Sequence, residues 1–345
     1  MRQDRPSTAG DVAAAAGVSL ATVDRVLNGR PGVRDSTIRA VQEAVEHLGF
    51  RRDLSAANLA RGRRYRFRFV VPDLPQNSFM QSLRHQIDVA AARGLDQRIA
   101  LTVVTYSAFD PLDLARQLST CLGSDAMGIA VVAVDAPEVR DAIAQLHAGG
   151  IAVVTVVSDV TPSRRTCFIG PDNVAAGRVA ASLLGRFVGQ RGGRVLTVAG
   201  RMTLRDHAER RLGFAEVMAR DFPNLTLLPV AEGLDDGTVT EPLVAEALRT
   251  FPDLVGLYSM GAGNRGVARA LEAAGRVADV IAIGHELTPF MREALLAGAF
   301  DAAINQDPAG EVRRAVQTLK ALADGDEDHR PEPVRIDIFL KDNLP

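Results

Sequence analysis

The chain has 345 residues, 47% hydrophobic and 24% charged, with a formal net charge of −2. That length allows about two to three domains at the usual ~100–200 residues each. No apolar run reaches the ~18 residues of a membrane span, and the start, MRQDRPSTAG, lacks the apolar core of a secretory signal, so a cytoplasmic protein without a membrane partner is expected.

Cys121 and Cys167 offer neither a disulfide framework nor a metal spacing, and both read as buried small hydrophobes. The charge is unevenly spread. Residues 1–68 hold thirteen Arg against seven Asp and Glu, a net +6, which leaves −8 for the remainder. A basic head on an acidic body suits a nucleic-acid contact confined to one end. A general preference for Arg over Lys explains the residue type but not its concentration in RRDLSAANLARGRRYRFR.

Thr8 and Asp11 form T-x-x-D, a capping-box variant that opens a helix with Val12, Ala13 and Ala16 on one face. Gly17 can turn the chain at its end. Ser19 is placed to cap a second helix with Val23, Val26 and Leu27 inward and Leu20, Ala21, Thr22, Asp24 and Arg25 outward. Asn28 follows. Two short helices joined by a Gly-containing turn make a helix-turn-helix, or any helical hairpin of a core. A third amphipathic helix carries Ile38, Val41, Val45 and Leu48.

The ordered match DVAxxAGVSxxTVxRVLN, the later LGF, and AxxLA ending at Ala60 closely resemble the headpiece and hinge of the lac repressor (LacI-type) family of bacterial transcription regulators. The resemblance implies a DNA-binding headpiece with a hinge helix over residues 1–62. It implies DNA contacts from Thr8, Ser19, Thr22, Arg25 and Asn28, with Leu20 and Ala21 touching base edges. Leu59 matches the family's minor-groove wedge; a packed linker residue would read the same way. Two departures stand out. Asp24 replaces the usual Ser, and an acid there repels phosphate. Arg52 replaces the usual Pro before the hinge.

From Arg66 onward Val- and Ile-rich runs alternate with helical patterns: RFRFVVPDL, IALTVVTY, GIAVVAV and IAVVTVVS, then RVLTVAG, LTLLPVAEG, LVGLYSM, VIAIGHE and FDAAINQD. Such alternation predicts parallel sheets covered on both faces, an α/β fold of two Rossmann-like halves with a break near 168. Residues 66–340 resemble the effector domain that the same family shares with ribose-binding proteins. That implies lobe 1 at about 66–167 and 304–326, and lobe 2 at about 168–303 and 327–340.

Ligands of open α/β sheets sit beyond the carboxyl ends of strands. Asn77 and Phe79 follow the first strand, as an N-x-F does in ribose-binding proteins; an amide and an aromatic face suit a sugar ring. A turn residue and a core Phe would look alike. Asp159, after Ser158, can accept two hydroxyls or cap a loop. Arg210 stands in R-x-x-G-F at the place of the family's ligand-binding Arg, with Arg205 a surface neighbour. Glu286 precedes Thr288-Pro289 where those proteins carry Asp, and Gln306 in NQDP resembles their hinge-side Gln. Ser259, Met260 and Gly261 replace an Asn-Asp of many members, and AAINQDP replaces the lac-type PPLTTV.

A rival pattern is Gly261-x-Gly263-x-x-Gly266 with Glu286 twenty residues on, the outline of a dinucleotide fingerprint and so of a dehydrogenase. It falls late in the chain, not in a first βαβ unit. His285 is a candidate acid/base or a cleft polar residue. A sugar-binding module without gene control is the other alternative. The expectation is a non-enzymatic, homodimeric or tetrameric repressor that binds a near-palindromic operator and answers to a sugar or sugar derivative. It needs no cofactor and no metal.

Overall fold

Local signals build the first three helices. In a computed structural model, which describes residues 7–27, 30–50, 64–94 and 98–345, the chain divides into two units, residues 1–63 and 64–345. In the first unit Thr8 caps α1 (Ala9–Ala15): its hydroxyl accepts from the Asp11 N–H at 3.3 Å, and the Asp11 carboxylate accepts from the Thr8 N–H at 2.7 Å. Two N–H groups at the helix start are thereby satisfied. Gly17, at φ +63°, turns the chain. The Ser19 hydroxyl accepts from the Thr22 N–H at 3.2 Å and opens α2 (Leu20–Leu27). α3 (Asp35–His47) closes the unit over a small core of Val12, Ala13, Val23, Val41 and Ala44.

The second unit holds two sheets. The first is all parallel, in the order β2-β1-β3-β4-β5: β1 (Tyr65–Asp73), β2 (Ile99–Ser107), β3 (Gly128–Val131), β4 (Ala152–Val156) and β5 (Cys167–Ile169). Its helices are α4 (Ser78–Gly94), α5 (Pro111–Ser119) and α6 (Pro137–Ala148). The two faces are covered by separate cores, one around Phe67 and Phe69, the other around Val70 and Ile129. Apolar residues therefore run continuously along β3 and through Phe69–Val71 of β1, whereas the start of β1 alternates with Arg66 and Arg68.

The second sheet runs β12-β11-β10-β9-β6-β7, with β8 also paired to β6. Its strands are β6 (Gly193–Ala199), β7 (Leu225–Leu227), β8 (Ala231–Glu232), β9 (Leu254–Ser259), β10 (Ile281–His285), β11 (Ala302–Gln306) and β12 (Ile336–Phe339). Only β12 is antiparallel. Around them lie α7 (Asn173–Val188), α8 (Arg205–Asp221), α9 (Gly237–Thr250), α10 (Asn264–Ala273) and α11 (Pro289–Ala297). Gly177 and Gly213 let α7 and α8 touch backbone to backbone. A Cβ on Gly177 would collide with the Arg210 carbonyl, and one on Gly213 with the Val174 carbonyl. This contact fixes the helix that carries Arg210.

The chain crosses between lobes at different residues from those expected. Phe168 and Ile169 pair with β4, so the first crossing is at 170–172. Ile304 and Gln306 pair with strands of the second sheet, not the first. The return to the first lobe comes at Asp307, before α12 (Pro308–Ala323), whose Val312, Ala315 and Leu319 join the Phe67 core. A parallel strand run names its partner sheet only through tertiary packing, which explains the shift. Cys121 is buried, whereas Cys167 is half-buried. Among the described residues no helix is long and apolar enough to cross a membrane.

Candidate functional site

Each unit carries one candidate surface. On the first, Ala21, Arg25 and Leu20 are exposed on α2, and Leu20 keeps 58% of its surface in water. An exposed Leu at the start of a helix has nothing to bury within its own unit. Thr8 and Ser19 are engaged as caps, and the Ser19 and Thr22 hydroxyls bond each other at 2.9 Å. Asp24 meets Arg30 at 3.5 Å, both largely exposed, which gives the acid a cation neighbour on its own surface. Asn28, Arg52 and the hinge Leu54–Ala60 with Leu59 lie outside the described residues.

In the second unit a cleft opens beyond the carboxyl ends of both sheets. Asn77, Phe79, Arg210, Glu286 and Gln306 all line it. Asn77 does two things. Its Oδ1 accepts from the Phe79 and Met80 N–H groups at 3.0 Å each, capping α4, while its side chain borders the cleft. Phe79 likewise belongs to the first-lobe core and to the cleft wall.

Asp159 is a correction. Its carboxylate accepts from Arg165 at 2.5 and 2.6 Å and from the Thr155 hydroxyl at 2.6 Å, and it does not line the cleft. Burial pushes its pKa up, but the bonds from Arg165 and Thr155 outweigh that and hold it below the ordinary value. Ser158 faces the cleft in its place, its hydroxyl buried and without a partner. Arg205 also differs from a plain surface residue. It bonds Glu209 within lobe 2 and reaches Asp135 at 3.5 Å and the Thr161 carbonyl at 3.3 Å in lobe 1. Leu204 packs on the lobe-1 core beside it.

The charged wall belongs to lobe 2. Arg210 is buried; its Nε donates to Asn173 Oδ1 at 2.9 Å and its Nη1 to the Met260 carbonyl at 2.6 Å. Glu286, at φ +68°, ends β10 with its carboxylate turned to Gln306: Gln306 Nε2 donates at 2.7 Å and its backbone N–H at 3.3 Å. Burial pushes the Glu286 carboxyl up to about 7 against the pull of Arg210 and Gln306. Glu311, on α12, is fully buried with neither oxygen bonded, and burial followed by the Glu286 charge drives its pKa well up.

Among the lining residues not anticipated are Asp206, His207, Asp235 and Asn264. Asp206 and His207 lie four and three residues before Arg210 on α8, so helical spacing alone puts them near its face. Asp235 sits in a loop at φ +55°, and its Oδ1 accepts from the Ala262 N–H at 2.8 Å. A Cβ on Gly261 would strike Asp235 and His207, and one on Gly200 would strike Asp235. Gly263, at φ +97°, and Gly266, packed on the Gly237 carbonyl, likewise meet needs of the fold. The glycines of the GxGxxG pattern are thus accounted for by packing. His285 is buried with its Nε2 2.8 Å from the Tyr258 hydroxyl, and burial, then Arg210 and His207, hold its pKa well below the ordinary value. It is a neutral core residue at the cleft floor.

Comparison with known proteins adds identity to this geometry. Residues 67–327 match the model of the periplasmic binding protein domain, and residues 8–53 match that of bacterial regulatory proteins, lacI family. The chain is 39% identical over 80 residues to catabolite control protein A of Priestia megaterium, an alignment spanning 23% of this chain and 24% of that protein. It is 26% identical over 296 residues to the HTH-type transcriptional regulator CelR of Thermobifida fusca, across 83% of this chain and 84% of that one. The fold is that of GanP, a glucose-galactose binding protein from Geobacillus stearothermophilus, at TM-score 0.74 and 21% identity over 82% of this chain and 99% of that one. The chain belongs to the periplasmic binding protein domain family, and it carries in front of that domain a regulatory domain of the lacI family.

Proposed function

We propose that this protein is a cytoplasmic, ligand-responsive transcription regulator, most simply a repressor acting as a homodimer on a near-palindromic duplex. α2 enters the major groove, with Leu20 and Ala21 against base edges and Thr22 and Arg25 on bases or phosphates. The cleft takes a small polyhydroxylated ligand, a sugar or a derivative of one, held by Arg210, Glu286, Gln306 and Asn77 and covered by Phe79. GanP and CelR support the two halves of this reading. The observation that carries it is one chain joining an exposed Leu20–Arg25 face to a cleft of buried polar groups. The role is binding and not catalysis, in keeping with relatives such as CelR that are named as transcriptional regulators.

A chain beginning at Arg64 tests the division of labour. It is expected to keep its ligand-induced rise in melting temperature and to lose sequence-specific binding in a gel shift. Sequence-specific binding retained without residues 1–63 would overturn the assignment of DNA binding to the first unit.

A further inference from the structure

Among the fully buried cleft atoms that lack a partner, acceptors predominate. Buried and unpartnered are Asp206 Oδ1, Asn264 Oδ1 and Gln306 Oε1, all acceptors, with the Ser158 hydroxyl beside them. The amide orientations follow from their partners: Asn264 Nδ2 donates to the His285 carbonyl at 3.1 Å and Gln306 Nε2 to Glu286. His207 Nδ1 lies 3.2 Å from the Arg201 carbonyl and its Nε2 3.7 Å from Asp206. Arg210 spends Nε and Nη1 on Asn173 and the Met260 carbonyl, which leaves its Nη2, with Asn77 Nδ2, as donors for ring hydroxyls.

Charge points the same way. The buried wall holds Asp206, Asp235 and Glu286, with Arg210 as its guanidinium and His207 beside Asp206, while Arg265 is exposed and lies 4.6 Å over the Phe290 ring. A cation seated beside these carboxyls stabilises their charged forms, which burial otherwise disfavours. Among the described residues no three His, Cys, Asp or Glu side chains converge as a metal site requires. A ring hydroxyl brings one donor and two acceptor lone pairs, and needs donors from the wall. A protonated amine brings three donors and no acceptor, the complement of the buried acceptors left unpaired here.

We propose that the ligand of this cleft carries a protonated amine on a hydroxylated ring, an amino sugar, with the ammonium seated against Asp206 and Asp235. This rests on the sugar reading above and narrows it. Lobe 2 then binds the charged end, and lobe 1 supplies Phe79, Tyr106 and Phe109 as a largely apolar cover.

The test is a thermal-shift comparison of matched pairs on the full chain: D-glucosamine with D-glucose, D-galactosamine with D-galactose, and D-mannosamine with D-mannose, each at equal concentration and at a pH that protonates the amine. One amino sugar is expected to raise the melting temperature while its neutral parent leaves it unchanged. Asp206→Asn, which keeps the shape and removes the charge, is expected to weaken that amino sugar roughly tenfold to a hundredfold. The wild-type comparison stands even if that variant does not fold. A neutral sugar that binds as tightly as its amino partner overturns the amine and leaves the sugar reading in place. Binding by neither class overturns both.

Discussion

Replacing Arg210 by Met is expected to cost the second unit about 3–5 kcal/mol of stability, the usual loss when one partner of a buried charge cluster is removed. Two effects add. The Asn173 and Met260 oxygens lose their donor in a buried setting. Asp206, Asp235 and Glu286 lose the buried cation that offsets them. Arg210 lowers the pKa of both Asp235 and Glu286, so its removal pushes both carboxyls further up. The measurement is the urea midpoint of the full chain. A loss under about 1 kcal/mol, the range of an exposed ion pair, would show that Arg210 does not hold this wall together.

Glu286→Gln is expected to change how stability depends on pH. The buried Glu286 carboxyl titrates near 7 against an ordinary 4.5. A carboxyl whose pKa rises on folding keeps its proton in the native state where the unfolded chain has lost it. Its contribution is full below about pH 4.5 and is lost as pH climbs through about 7. The wild type should therefore fall behind the variant between pH 5 and pH 8, by about 3 kcal/mol at most. Glu311, raised by burial and by the Glu286 charge, shifts in the same sense. His285 is present in both chains and largely cancels in the comparison. Parallel stability curves across that range would mean that Glu286 does not titrate there.

The first unit was legible because its signals are local. A capping box, a turning Gly and a Ser cap lie within a dozen residues, and each forms as written. Arg210, Glu286 and Gln306 were legible because a residue just past a strand, or one turn into the next helix, inherits the direction of its sheet. Asp159 satisfied the same rule and still left the cleft. Arg165, six residues on, captures it in an ion pair that no local pattern announces. Asp235 was missed for the opposite reason, since a loop at positive φ carries no periodicity. Asp206 was within reach, because it shares a helix face with Arg210 at a spacing of four. The crossing at Asp307 depends on which sheet accepts β11, a choice made by tertiary packing.

On this reading, ligand in the cleft of the second unit governs DNA binding by the first. The direct measurement is fluorescence anisotropy of the full chain on a duplex selected from a random library, with and without a ligand that raises the melting temperature. Saturating ligand is expected to change DNA affinity by roughly 5- to 150-fold, and by linkage the duplex must change ligand affinity by the same factor in the same direction. Equal DNA affinity with and without saturating ligand would contradict the account.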